Sequence, residues 1–150
     1  MKKTLDDWLN AYGESHQHPV NKAIHRICVP VIYWTVFAML WALPVPDAMM
    51  PWHFRWAWLG VIVIAIFYGQ FGWRPSVVMT SYTLANILVV WLWETWMSLP
   101  LMWGAIGLFI LAWIGQFWGH RIEGKKPSFF KDIQFLLIGP AWVLKGTRQK

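Results

Sequence analysis

Of the five histidines in this chain, four stand among other polar side chains in two short stretches. The first stretch holds Tyr12, His16, His18, Asn21 and His25, and the second holds Gln116, His120 and Glu123. On a helix, Asn21 and His25 point the same way, as do Gln116 and His120, while His120 and Glu123 are neighbours one turn apart. An imidazole and a carboxylate at that spacing form a metal-binding pair in helical bundles. Adding His16 and His25 gives three imidazoles and a carboxylate around one point, a set that suits iron, zinc or manganese. Two histidines and one carboxylate with open positions suit non-haem Fe(II) handling of O2. Asn21 and Gln116 are then placed to fix the imidazole orientations. Histidines near membrane ends also serve as plain interfacial polar groups, and His53, between Trp52 and Phe54, fits that description.

Residues 26–115 separate the two stretches, so the intervening elements must bring them together. The 150 residues are 57% hydrophobic and 13% charged, against roughly 45–50% and about 25% in a soluble domain. With 13 Lys+Arg and 7 Asp+Glu, there is too little charge for a polar shell. Runs free of acidic and basic charge predict four transmembrane helices near 27–43, 56–73, 75–93 and 100–119, each close to the roughly 17–25 residues that span a bilayer. Lysines and arginines cluster before the first and after the fourth. An even number of spans then puts both termini on the cytoplasmic side, and both polar stretches at one membrane face.

Thr4 to Tyr12 reads as a short amphipathic helix, with Leu5, Trp8, Leu9 and Tyr12 on one face and a Thr4/Asp7 cap. Pro19 or Val20 starts the helix that enters the first span, and Pro30 is expected to kink it. The run 133–144, interrupted by Gly139-Pro140, predicts a re-entrant or interfacial segment, with Phe129 and Phe130 dipping into the headgroups. The expected fold is therefore an all-α membrane protein: one domain over 1–150, four transmembrane helices, an N-terminal amphipathic helix and a C-terminal re-entrant or interfacial helix. Glu94 is expected to reach the headgroups by snorkelling. The single cysteine, Cys28, excludes an internal disulfide framework and reads as a packing residue. Asp6 and Asp7 stand where a signal peptide would be apolar, so the first span is expected to be retained. The sequence pI of 9.7 does not imply nucleic-acid binding, because the basic residues flank the spans as orientation signals.

The two stretches read Tyr12-x3-His16-x-His18-Pro19-x-Asn21-x3-His25-x4-Pro30 and Gln116-x2-Gly119-His120-x2-Glu123-Gly124-x2-Pro127. In this pattern, and from Trp8 to Gly139-Pro140, the chain resembles the Mpo1-like (DUF962) family of small membrane proteins. The resemblance implies an Fe(II)-dependent dioxygenase that uses O2 to shorten 2-hydroxy fatty acids by one carbon, a step of α-oxidation. Carried over to the matching positions are His16, His25 and His120 as iron ligands, with Glu123 as a further ligand or base. Glu123 and Tyr12 are then the expected catalytic groups, and Asn21, Arg121 and Lys126 the expected substrate-binding groups. His18 stands where many relatives have Asn, as an extra ligand or a neutral replacement. The acidic residue that often closes the family's tail is missing here, where Trp142 is followed by Val143, Leu144, Lys145 and Gly146. The short loops and the absence of an Asn-x-Ser/Thr acceptor point to a bacterial inner membrane, or the endoplasmic reticulum in a eukaryote, with membrane lipids as partners and the site at the cytoplasmic face. Two other functions suit the same residues: a hydrolase using zinc-activated water, and a non-catalytic lipid-binding scaffold.

Overall fold

Helix signals in the sequence account for most of the boundaries. The computed structural model of the chain describes residues 3–124 and 129–148, without the side chains of 51–52, 129–135 and 147–148. Among the described residues there are six α-helices and no strand. Helix α1, Leu5–Gly13, starts at a reciprocal cap: Asp7 N–H donates to Thr4 Oγ1 at 3.2 Å, and Thr4 N–H donates to Asp7 Oδ2 at 2.8 Å. Its inner face buries Leu9 and Tyr12. Helix α2, Pro19–Ala42, opens on a proline, whose missing N–H costs nothing in a first turn. Pro30 lies inside α2 and does not end it. The expected first span is thus the outer part of a 24-residue helix that begins well before it.

Helix α3, Ala57–Gly69, is 13 residues long, about 20 Å at 1.5 Å per residue, short of the roughly 30 Å of a hydrocarbon core. Of the span expected at 56–73, helix therefore covers only Ala57–Gly69. A gap in the charge pattern does not register the turn at Gln70–Gly72, where Gly72 takes φ +116°, a conformation glycine reaches freely. Helices α4, Trp73–Trp96, and α5, Leu101–Glu123, slightly exceed the lengths expected for the third and fourth spans. Helix α6, Phe129–Arg148, is the expected C-terminal helix, and it runs on through Gly139-Pro140. Pro140 is fully buried, and that packing offsets its lost hydrogen bond. The expected headgroup contacts of Phe129 and Phe130 involve side chains outside the described residues.

Two compact units divide the chain: Met1–Tyr33 with Phe109–Lys150, and Trp34–Leu108. In the second unit α3 packs on α4, with Ser76 Oγ donating to the Ala65 carbonyl at 2.9 Å. Trp34, Ala38, Val90, Leu101 and Ala105 form its core. Glu94 accepts from Trp41 Nε1 at 2.9 Å and lies 3.9 Å from Arg55.

In the first unit α1 packs on α6, and two glycines let α2 and α5 come close. A Cβ on Gly115 would stand 2.8 Å from Cys28 Sγ, and one on Gly119 would run into the side-chain oxygen of Asn21. Cys28 is accordingly a packing residue against α5.

Helices α2, α4 and α5 are long and apolar enough to cross a membrane. Within their apolar stretches only 44, 22 and 28% is buried inside the protein. Side chains such as Ile27, Leu88 and Leu111 are 55 to 70% exposed. Exposed apolar surface on this scale fits lipid far better than water.

Candidate metal centre

Within the first unit, three histidines from different elements converge. His16 follows the end of α1, His25 sits early on α2, and His120 sits in the last turn of α5. All three are buried. The His16 and His25 ring centroids are 4.1 Å apart, His25 and His120 4.9 Å, and His16 and His120 5.2 Å. One ligand nitrogen from each lies within 4.8 Å of the other two. An imidazole nitrogen stands about 2.0–2.1 Å from a bound ion, so two such ligands are at most about 4.2 Å apart. A small closure of the side chains would therefore complete a metal site.

The same backbone device orients two of these rings. Nδ1 of His16 lies 2.6 Å from the Tyr12 carbonyl, and Nδ1 of His25 lies 3.0 Å from the Asn21 carbonyl, each four residues back. A carbonyl only accepts, so both rings carry the proton on Nδ1 and leave Nε2 with its lone pair. Nε2 of His16 is buried with no partner, as is Nδ1 of His120. A buried polar atom left unpaired costs roughly 1–3 kcal/mol, and two in one cluster fit a ligand that protein atoms do not supply. Burial drives the His16 imidazole down to about 4, against a partial upward pull from the Tyr12 carbonyl. The ring is thus neutral and ready to ligate at neutral pH.

Next to the rings is a cavity of about 50 Å³, room for a few water-sized groups. Val29, Ile32, Trp113 and Leu136 supply its apolar walls, and Gln116 its remaining polar wall. Tyr12 stacks on His16, with ring centroids 4.3 Å apart and planes 9° from parallel. Trp142 of α6 leans on both, 5.3 Å from Tyr12 and 5.6 Å from His16.

Glu123 stands apart from the three histidines whose nitrogens could hold a metal ion. Its carboxylate accepts from the N–H groups of Gln17 and His18, both at 2.8 Å, and from Asn21 Nδ2 at 3.0 Å. It thereby clamps the loop carrying His16 to the end of α5. Asn21 serves twice, its carbonyl on His25 and its amide on Glu123. His18 is exposed, and its Nδ1 accepts from Val20 N–H at 3.2 Å, away from the three-histidine group. Arg121 is exposed on α5, and Lys126 lies outside the described residues.

The apolar cavity walls were absent from the expected site, which did include Gln116. Val29 and Ile32 follow His25 at helical spacing, and Trp113 and Gln116 precede His120 at helical spacing, so their faces were open to inference. Leu136 and Trp142 come from α6, and no local spacing links that helix to the histidines.

A protein-family model described as 2-hydroxy-palmitic acid dioxygenase Mpo1-like matches residues 2–150. No curated protein and no solved structure matches the chain.

Proposed function

The chain belongs to the Mpo1-like family, and from that premise we propose that it is a membrane Fe(II) dioxygenase that shortens 2-hydroxy fatty acids by one carbon. The observation that carries this reading is the buried His16, His25 and His120 cluster with its unpaired ring nitrogens. We assign these three as the ligands. Iron(II) at this point would supply a Lewis-acid anchor for the hydroxy acid and the means to activate O2.

The remaining roles fall to residues of the chain. The carbonyls of Tyr12 and Asn21 hold the His16 and His25 rings in one tautomer. Glu123 is the positioning residue that ties the His16 loop down, and Asn21 connects it to α2. Val29, Ile32, Trp113 and Leu136 exclude water and offer an apolar wall to the alkyl chain beside its polar head. Tyr12, stacked on His16, is placed to hold or pass a proton at the cavity edge. Arg121, and Lys126 beyond the described part, are proposed to receive the substrate carboxylate on its approach from the cytoplasm.

For topology we propose four crossings, α3 being the short fourth, so that the basic stretches at both ends share the cytoplasmic face, in a bacterial inner membrane. The test of the activity is oxygen uptake by the purified, iron-loaded protein given a 2-hydroxy fatty acid. The expected outcome is uptake matched one to one by the acid shortened by one carbon. Turnover without oxygen consumption would contradict the reading and favour a zinc hydrolase.

A further inference from the structure

Helices α1, α2 and α6 also line a second, larger and partly open cavity of about 370 Å³, whose walls include Asn10, Lys22, Arg26, Trp142 and Lys145. Lys22 and Arg26 are one turn apart on α2 and project to the same side. Among the described residues neither has a carboxylate at ion-pair distance, whereas Lys145 holds Asp6 at 2.7 Å. Three cations around one space repel each other, and Asp6, with 75% of its side chain exposed, offsets only one of them. Among the described residues, then, negative charge at this cavity falls short of its cations.

Location decides what kind. The two cations of α2 stand where the apolar run of that helix begins, and Val20 and Ile27 beside them are 47 and 70% exposed. Cations bordered by outward apolar surface at the end of a span fit an anionic group that carries its own hydrocarbon. We propose that this cavity binds the phosphate of an anionic phospholipid headgroup. Lys22 and Arg26 from α2 and Lys145 from α6 engage the phosphate, and Asn10 of α1 offers an amide to the headgroup oxygens. Trp142 lines this cavity and leans on His16, so a headgroup seated there braces α6 against the side of the metal cluster.

The test is native mass spectrometry of the detergent-solubilised full chain with dioleoylphosphatidylglycerol, dioleoylphosphatidylcholine or inorganic phosphate. The expected result is preferential retention of phosphatidylglycerol that inorganic phosphate does not displace. That preference should fall about fivefold for each cation removed, as measured in the double variant Lys22→Gln/Arg26→Gln and in Lys145→Gln. Arg74→Gln, on α4, should leave it intact. Equal retention of the two lipids, or an unchanged preference in the double variant, overturns the proposal. Displacement by equimolar phosphate reassigns the cavity to a free anion and overturns it too. If the double variant fails to fold, as judged by its helical signal, Lys145→Gln alone decides, and an unchanged preference there is fatal.

Discussion

His16 owes its readiness as a ligand to two features: the Tyr12 carbonyl accepts a hydrogen bond from its Nδ1–H, and burial keeps the ring neutral down to about 4. A free imidazole titrates near 6.5, so between those values the unfolded chain binds a proton that the folded chain refuses. Stability of the metal-free protein should therefore be flat above about pH 6.5 and decline from there towards pH 4. Thermal melting against pH checks this, and His16→Gln should make the decline shallower. Glu123 acts at one remove through the loop it clamps. Glu123→Gln puts an amide where two N–H groups and the Asn21 amide need an acceptor, and should weaken metal affinity about 10–100-fold, as read by chelator competition. Unchanged affinity would contradict the clamp. At this scale the sequence exposed the histidines, because their types and spacing advertise ligation. The separation of Glu123 from them was hidden, since one-turn spacing from His120 suits a carboxylate ligand and a loop clamp equally well.

Packing between helices decides whether those side chains meet. Gly115 and Gly119 allow α5 to approach α2 at Cys28 and Asn21. In Gly119→Ala the new methyl would displace the buried Asn21 side chain, loosening its bond to Glu123. Such overpacking should cost about 1–3 kcal/mol of stability and lower metal affinity as well, measurable by denaturant unfolding and metal titration. Local signals located several elements well. The Thr4/Asp7 pair marked the start of α1, and Pro19 that of α2. Non-local packing decides what local signals leave open: Pro140 interrupts an apolar run yet lies buried inside α6. Likewise, the charge-free stretch at 56–73 is only partly helix, because a turn need not carry charge.

On the scale of the whole molecule, charge scarcity foretold membrane-spanning helices, and three of the described helices have the length for it. Counting crossings is harder, because a 13-residue helix such as α3 carries the apolar composition of a span without its length. Four crossings predict that tags at the N- and C-termini of the protein in sealed inverted vesicles are both open to protease; cleavage of only one would contradict that topology. The function rests on one claim above the others, that His16, His25 and His120 hold an iron ion. Its most direct test is elemental analysis of the full chain purified without air, beside His120→Ala. The account predicts about one iron per wild-type chain and almost none in the variant, with oxygen uptake on a 2-hydroxy fatty acid lost in parallel. Iron-free wild-type protein that still consumes oxygen, or a variant that keeps its iron, would contradict it.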